Sequence, residues 1–490
     1  MQTINTCPPD QMNRFYTGIA FDSRAVQPGN LFVAIKGSHH DGADYCKQAL
    51  AQGATGLLAR PEVIDHWRKQ PNSFARLHPD PLPERFLSLL AADRYRAQFD
   101  QIIGVTGTNG KSSVVHFLYQ IWHALGLKPA TIGTVGKPEG DQLCLGDLTT
   151  PDALILHQNL HRLAFEHHRH LALEASSHGL AQYRLDGLRK RLNGAIFTNL
   201  SHDHLDYHHT MEAYWQAKQR LFSELAAPGA ALIFKNDAPE AEALRKLAHK
   251  HGLQSKSWCK DQGDTKSDYS LSNCIPGNDG LSANVQFGQH QVPVKARLFG
   301  HFQFENLMHA LVCVHVLAAP LMRTKLISGL ADIADTIRPV PGRMEPIEWL
   351  DDGGSIFVDY AHTPDALQLA LQSLRAHFPG QRIVVLFGCG GNRDAAKRPL
   401  MGDIAARLSD RVYVSDDNPR DEDPAQIRAA IMAACPNACE LAGRDQAIHH
   451  AISQLGSSDI LLVAGKGHEQ GQLIKGQRIP FDDADEIRKA

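Results

Sequence analysis

From residue 101 the chain alternates between short apolar runs and amphipathic stretches. The runs fall at 102–106, 130–134, 170–174, 194–198 and 230–234, and the first is followed at 113–125 by apolar residues at helical spacing. Apolar runs of this length read as buried strands, and the stretches between them as helices, so the alternation predicts a mostly parallel sheet with helices on both faces. The rhythm restarts at 355–358, 382–387, 411–415 and 459–464, which predicts a second, smaller Rossmann-like unit. Ahead of both, strand-like runs at 18–21 and 31–36 and helices at 45–52 and 83–95 predict a small α/β module.

Polar and Pro-rich segments divide these patterns. Residues 71–83 read as a loop before a linker helix. Ile337-Arg338-Pro339-Val340-Pro341-Gly342-Arg343 cannot continue a helix and has the composition of a domain linker. A chain of 490 residues is too long for one core. An α/β protein of three domains is therefore expected: 1–97, a central parallel-sheet domain at 98–338, and a Rossmann-like domain at 339–490. Residues 256–293, rich in Ser, Asn, Gly and Gln, predict a β-rich insertion or a long loop.

Composition narrows the class. The formal net charge of −3, with no basic tail or stripe, argues against nucleic acid as the main partner. The nine cysteines form no disulfide framework, and Cys435 with Cys439 is half of a zinc pattern without its other half. The opening residues are polar, and no apolar run is long enough to cross a membrane. A cytoplasmic enzyme is expected.

Candidate chemistry collects where ligands bind in such sheets, at the carboxyl ends of the strands. Gly107-Thr108-Asn109-Gly110-Lys111-Ser112-Ser113 follows the first strand and opens a helix. Backbone N–H groups and the helix N-terminus would cradle phosphates, Lys111 would reach the outer ones, and the Ser112 hydroxyl is placed for Mg²⁺. The usual first glycine of a P-loop is missing: Val105 stands five residues before Gly110. Glu174 ends the third strand, where a Mg²⁺-binding acid belongs. Ser201-His202-Asp203-His204-Leu205-Asp206-Tyr207-His208-His209 is the densest His/Asp cluster. One His beside Mg²⁺ is the economical reading, with His202, His208 and His209 left to a solvated loop. His167-His168-Arg169-His170 reads as a surface turn, and Lys218 as a helix-surface lysine.

In the last third, Asp359-Tyr360-Ala361-His362-Thr363-Pro364 follows a strand, with Thr363 a candidate N-cap and Pro364 the first helical residue. Gly388-Cys389-Gly390-Gly391-Asn392-Arg393 fails the dinucleotide fingerprint at its third glycine, and an anionic substrate suits it better. Asp416-Asp417-Asn418-Pro419-Arg420 and Gly465-Lys466-Gly467-His468-Glu469 end neighbouring strands. Together these loops offer guanidinium groups for carboxylates and acids for an ammonium, as an amino-acid pocket needs.

The motifs DSRxVxPGxLFVA, GTNGKSS, TTPD, EASSHGL, TNLSHDHLDYH, HFQFEN, DYAHTPD, GCGGNRD, DNPR and GKGHE, spread over nearly the whole length, resemble those of the Mur ligase family. The resemblance implies an ATP-dependent ligase that adds meso-diaminopimelate to UDP-N-acetylmuramoyl-L-alanyl-D-glutamate. It implies that Phe21, Ser23, Ser38, His39 and His40 hold the uridine nucleotide. Thr149, Thr150, Ser176, Gln182 and Arg184 would hold the muramoyl-dipeptide. Gly107, Thr108, Asn109, Gly110, Lys111, Ser112 and Ser113 would bind ATP, with Asn306, Arg343, Asp359 and His362. Glu174, His204, Ser112 and Lys218 would hold two Mg²⁺ ions, Lys218 as an N6-carboxylysine, and Lys111, Lys218, Glu174 and His204 would be the catalytic set. Arg393, Asp417, Asn418, Pro419, Arg420, Gly465 and Glu469 would bind diaminopimelate, because the DNPR form accompanies that amino acid in the family. The implied partners are small molecules, with no nucleic acid or membrane, and a monomer is expected. The rival readings are a lysine-adding or folylpolyglutamate-type ligase, or a nucleotide-binding regulatory protein without turnover.

Overall fold

The computed structural model describes residues 8–37, 40–134, 148–261, 267, 269–350 and 353–490. The chain divides into two compact units, one of residues 1–257 and 312–318, the other of 258–311 and 319–490.

The first unit opens with a four-stranded sheet, β1 (Ile19–Ala20), β2 (Leu31–Val33), β3 (Gly56–Ala59) and β4 (Arg76–Pro79), paired in that order and parallel throughout. Parallel pairing needs crossovers, and the 3₁₀ turn Ser23–Ala25 and the short helices Cys46–Ala51 and Pro61–Trp67 lie in the three of them. The unit continues with β5 (Gln101–Thr106), β6 (Pro129–Ile132), β7 (His170–Glu174), β8 (Leu192–Phe197) and β9 (Ala226–Lys235), in spatial order β9-β8-β5-β7-β6 and all parallel. Ile102, Ile103 and Val105 of β5 and Leu171, Ala172 and Leu173 of β7 are buried. A sheet covered on both faces has no solvent side, which is why these strands read as apolar runs rather than as alternations.

Helix Lys111–Ala124 buries Val114, Val115, Phe117, Leu118, Ile121 and Trp122. The helix Pro83–Arg94 ties the first sheet to the second. Its Ser88 Oγ donates to the carbonyl of Arg184 at 3.0 Å, and Arg85 lies 3.1 Å from the buried Asp186 carboxylate.

In the second unit, β10 (Gln254–Lys260) pairs through residues 258–260 with β11 (Tyr269–Gly277), which continues into β12 (Gly280–Phe287) and β13 (His290–Ala296) by antiparallel pairing. The described residues of the 256–293 stretch thus lie mostly in strands, β10 pairing in parallel with β11 and β11–β13 forming a β meander. It was hard to read because small polar residues alternate on the strand faces of β12, Ser282 and Asn284 against buried Leu281, Ala283 and Val285. Beyond it lies a six-stranded sheet: β14 (Glu345–Trp349), β15 (Ser355–Asp359), β16 (Ile383–Phe387), β17 (Arg411–Val414), β18 (Cys439–Glu440) and β19 (Ile460–Ala464). Its order is β14-β15-β19-β16-β17-β18, parallel except for β14. A two-stranded hairpin, β20 (Gln472–Ile474) and β21 (Gln477–Ile479), follows.

Two sequence readings need correction. His168 is buried, its Nδ1 2.7 Å from the carbonyl of Pro129, so 167–170 is not a surface turn throughout. His208 is also buried, with its ring 5.5 Å from that of His178 and 5.2 Å from that of Tyr214. Each is buried with partners for its ring, a backbone carbonyl for His168 and neighbouring aromatic rings for His208, which polarity scales do not show. Among the described residues no helix is long and apolar enough to cross a membrane.

Candidate active site

The loop after β5 is pinned from one side by the segment after β8. Thr108 N–H donates to the Asn199 carbonyl at 2.8 Å, Asn109 N–H to Asn199 Oδ1 at 2.9 Å, and Thr198 Oγ–H to the Asn109 carbonyl at 2.6 Å. Ser201 N–H reaches Thr108 Oγ1 at 2.9 Å. Gly107, at φ 152°, admits this approach because a Cβ there would lie 1.9 Å from Thr198 Oγ1. Gly110, at φ 84°, is the N-cap of the helix that starts at Lys111. The missing first glycine has a plain reason: Val105 is still inside β5, buried, with its carbonyl accepting from Ala175 N–H at 2.8 Å. The turn begins two residues later than a standard P-loop.

Two lysines meet at this loop. Lys111 Nζ donates to the carbonyls of Gly107 at 3.1 Å and Thr108 at 2.7 Å. Lys218 Nζ donates to the same Gly107 carbonyl at 2.7 Å and stands 4.2 Å from the centre of the Tyr214 ring. Lys218 is not a surface lysine, as its helix position suggested, but is 1% exposed. Burial, reinforced by the neighbouring Lys111 charge and only partly opposed by Asp203, pushes its pKa well below the ordinary lysine value.

On the other side of the loop, Ser112 Oγ donates to Glu174 Oε2 at 2.9 Å and Thr134 N–H to Glu174 Oε1 at 2.7 Å. Gly133 leaves room for this carboxylate, since a Cβ there would lie 2.2 Å from Oε1. Thr150 Oγ donates to the Glu174 carbonyl at 2.8 Å and receives both N–H and Oγ–H of Ser176, at 3.0 and 2.9 Å. Arg184 donates to the Thr150 carbonyl at 2.6 Å and to Gln182 Oε1 at 2.5 Å, and Thr149 Oγ1 receives Thr134 Oγ–H at 3.2 Å. The five residues assigned by resemblance to the muramoyl-dipeptide thus lie together, beside Glu174.

His204 is in the left-handed region at φ 54°, caps a short helix, and places Nε2 3.5 Å from Asp203 Oδ2 and its ring 4.8 Å from that of His178. Among the described residues no group of three His, Cys, Asp or Glu side chains is arranged to hold a metal ion. The Ser112–Glu174 pair is nonetheless a hard-oxygen donor set suited to Mg²⁺, whereas a lysine amine is not.

In the first sheet, Ser23 is buried and donates to Gln48 Oε1 at 2.9 Å; Phe21 packs on the apolar core, and exposed His40 lies 3.4 Å from the Tyr45 hydroxyl. Ser38 and His39 lie outside the described residues.

In the second unit the loops after β15, β16, β17 and β19 converge. Gln303 Nε2 donates to the Arg343 carbonyl at 3.2 Å and its Oε1 receives Asn306 Nδ2 at 3.4 Å. The Arg343 guanidinium lies 4.3 Å from the centre of the Tyr360 ring, and Met344 N–H donates to Asp359 Oδ2 at 2.7 Å. Burial raises the Asp359 carboxyl to about 6, against the pull of Arg343. His362 Nδ1 lies 2.8 Å from the Tyr360 carbonyl, and Thr363 caps the following helix with Pro364 at its start.

Arg420 adopts φ 52° and donates from Nη1 to the Gly391 carbonyl at 2.8 Å. Burial lowers its pKa first and the Arg393 charge second, while Asp417 and Glu469 oppose them. Two guanidinium groups and two carboxylates therefore share one electrostatic neighbourhood. Buried Asn418 donates to Glu469 Oε2 at 2.8 Å, next to Pro419. Gly465, at φ 113°, has no room for a Cβ, which would meet Asp417 Oδ2 at 2.7 Å. Tyr360 OH donates to Glu469 Oε1 at 3.3 Å. Sequence reasoning singled out neither Tyr360, Lys466 and the hairpin residue Leu473 here nor Asp203, Tyr214 and His178 beside the loop. All but Tyr214 and Leu473 lie inside motifs it quoted, so the motifs were the available signal.

Family models match three stretches of the chain: "Mur ligase family, catalytic domain" over residues 15–91, "Mur ligase middle domain" over 105–314, and "Mur ligase, glutamate ligase domain" over 342–467. The chain belongs to the Mur ligase family. Two curated relatives are named UDP-N-acetylmuramoyl-L-alanyl-D-glutamate–2,6-diaminopimelate ligase. The one from Chelativorans sp. is 41% identical over 97% of this chain and 94% of its own; the one from Rhizobium meliloti is 42% identical over 96% and 93%. A solved structure carrying the same enzyme name superposes with a TM-score of 0.67 at 32% identity, covering 97% of this chain and 94% of that one. A MurF ligase from Thermotoga maritima in complex with ADP shares the fold at a TM-score of 0.62 and 18% identity, covering 100% of this chain and 98% of its own.

Proposed function

We propose that this chain is an ATP-dependent ligase that joins meso-diaminopimelate to the D-glutamyl carboxylate of UDP-N-acetylmuramoyl-L-alanyl-D-glutamate, releasing ADP and phosphate. In this reading the domains are 1–97 for the uridine nucleotide, 98–338 for ATP, and 339–490 for the amino acid. The observation that carries the amine assignment is the Arg393, Arg420, Asp417 and Glu469 cluster at neighbouring strand ends. A substrate bearing carboxylates and an ammonium matches two guanidinium groups set beside two acids.

A carboxylate is a poor electrophile, so amide formation needs activation. A carboxylate oxygen attacks the γ-phosphorus of ATP and ADP leaves. The free amine then attacks the acyl carbon, loses a proton, and phosphate departs with one of the original carboxylate oxygens. The backbone N–H groups at the helix start, 110–113, and the Lys111 ammonium hold the phosphates and neutralise charge as the phosphoryl group moves. Thr149, Thr150, Ser176, Gln182 and Arg184 orient the dipeptide beside Glu174. Two Mg²⁺ ions, which Ser112, Glu174, His204 and Lys218 as a carbamate would together hold, would supply further charge neutralisation for phosphoryl transfer. Only an unprotonated amine adds CO₂, releasing a proton as the carbamate forms; the downward pKa shift of Lys218 favours that form, and the carbamate would provide the hard oxygens that an amine lacks.

ADP release measured with all three substrates tests the reading. Turnover is expected only when the UDP-linked dipeptide and diaminopimelate are both present. ATP binding without ADP release would instead mark a regulatory nucleotide-binding protein.

A further inference from the structure

Lys466 is buried without remainder, at 0% exposed, inside the loop that follows β19. A lysine ammonium has three donors, and all three are engaged. Nζ donates to the Gly471 carbonyl at 2.6 Å, to Asn418 Oδ1 at 3.3 Å and to Glu469 Oε2 at 3.3 Å. One cation thus joins the Asp-Asn-Pro-Arg turn, the carboxylate of Glu469 and the start of the β20–β21 hairpin.

The consequence falls on Asn418. The two ends of an amide are nearly isosteric, and only its partners decide which end faces which way. Asn418 Oδ1 receives two donors, Lys466 Nζ and Leu473 N–H at 2.9 Å. Its Nδ2 therefore faces Glu469 Oε2, at 2.8 Å, and keeps a second hydrogen to give. The reversed amide would set an oxygen against the carboxylate and an NH₂ group against an ammonium. The hairpin completes the clamp: Arg420 N–H donates to the Leu473 carbonyl at 2.9 Å, Lys475 N–H to the Arg420 carbonyl at 2.7 Å, and Gln472 Nε2 to the Asp417 carbonyl at 2.5 Å.

We propose that Lys466 is a positioning residue for the amine substrate: its enclosed ammonium fixes the Asn418 amide and the Glu469 carboxylate in the orientation that receives the amino acid. It acts through these two side chains and the hairpin, and the proposal rests on the reading of this cluster as the amino-acid site.

The test is steady-state kinetics on the full chain with Lys466→Met, which keeps the stem and removes the three donors. The KM for meso-diaminopimelate is expected to rise about 10- to 100-fold, the range for lost hydrogen bonds to charged groups, with the KM for ATP and the kcat at saturating amine unchanged. Asn418→Ala added to Lys466→Met is expected to cost much less than in the wild-type background, because the two residues act as one unit. Equal rises in both KM values, an unchanged diaminopimelate KM, or independent effects of the two substitutions would overturn the proposal. Arg420→Ala separates the two levels of inference. If it raises the diaminopimelate KM and Lys466→Met does not, the site stands and the positioning role falls; if neither does, the amino-acid reading itself falls. Thermal melting and ATP binding check folding, and Lys466→Gln, which retains a donor for Gly471, replaces Met if that variant does not fold. Failure of both to fold would make Lys466 a purely structural cation and overturn the proposal.

Discussion

Lys218 has a helical register that makes it look like any solvated lysine, yet it ends in a place where a charge is costly. Its amine shares the Gly107 carbonyl with Lys111, so two ammonium groups compete for one acceptor, and burial favours losing the Lys218 proton. In the proposed function the Lys218 amine adds CO₂ to become a carbamate. Lys218→Ala is expected to lower turnover by about 100- to 1000-fold, as loss of one electrostatic stabiliser does. A short carboxylic acid should partly restore it, and wild-type turnover in the variant would end the carbamate assignment. Asp359 shows the opposite imbalance. Burial raises its carboxyl from 3.8 to about 6, so its contribution to stability is fully present below pH 3.8 and is lost as pH rises through 6. Asp359→Asn removes that loss, and its stability relative to wild type should grow by roughly 3 kcal/mol between pH 3 and pH 8. Denaturant unfolding at several pH values checks this, and a pH-independent difference would contradict it. Neither environment was legible from the chain. The burial that sets both, and the Lys111 charge beside Lys218, arise only in the fold, and the resemblance alone marked Lys218 as special.

The strand–loop–helix after β5 was legible almost to the residue, because its strand is covered on both faces and its loop carries the glycines. Elements built from small residues were harder to bound. β9 starts at Ala226, four residues ahead of its apolar run, through Ala, Pro and Gly. The strands β10 to β13 set many Ser, Asn, Gln and Lys residues between buried apolar ones, so their pattern admits loop or strand equally. The phosphate loop yields a sharp expectation at this scale. Gly107→Ala would drive a Cβ into Thr198 Oγ1, the hydroxyl that also holds the Asn109 carbonyl. It should cost about 1–3 kcal/mol of stability, the usual range for overpacking, and weaken ATP binding through the displaced 198–201 segment. Calorimetric melting and ATP titration check it; wild-type behaviour in both would show that the loop does not need this close approach.

Across the whole chain, three family segments at 15–91, 105–314 and 342–467 each carry a set of parallel strands, with antiparallel strands added in the second and third. By compactness one unit holds residues 1–257 and 312–318 and the other 258–311 and 319–490, so the Pro-rich segment 337–343 lies within the second unit. Proline and glycine mark where a helix must stop, whereas a compact unit ends where contacts thin out, so composition and compactness report different boundaries. The three candidate ligand sites follow the parallel sheets all the same: Ser23 beside the first, the phosphate loop and Glu174 at the strand ends of the second, and the Arg420–Glu469 cluster at those of the third. Three substrates joined in one reaction account for three such sheets. The most direct test of that account is ADP release with the UDP-linked dipeptide and ATP held saturating while the amine is varied. The account expects release that depends on meso-diaminopimelate and is much slower with lysine, which lacks the second carboxylate for Arg393 and Arg420. Equal kcat/KM for the two amino acids would contradict it.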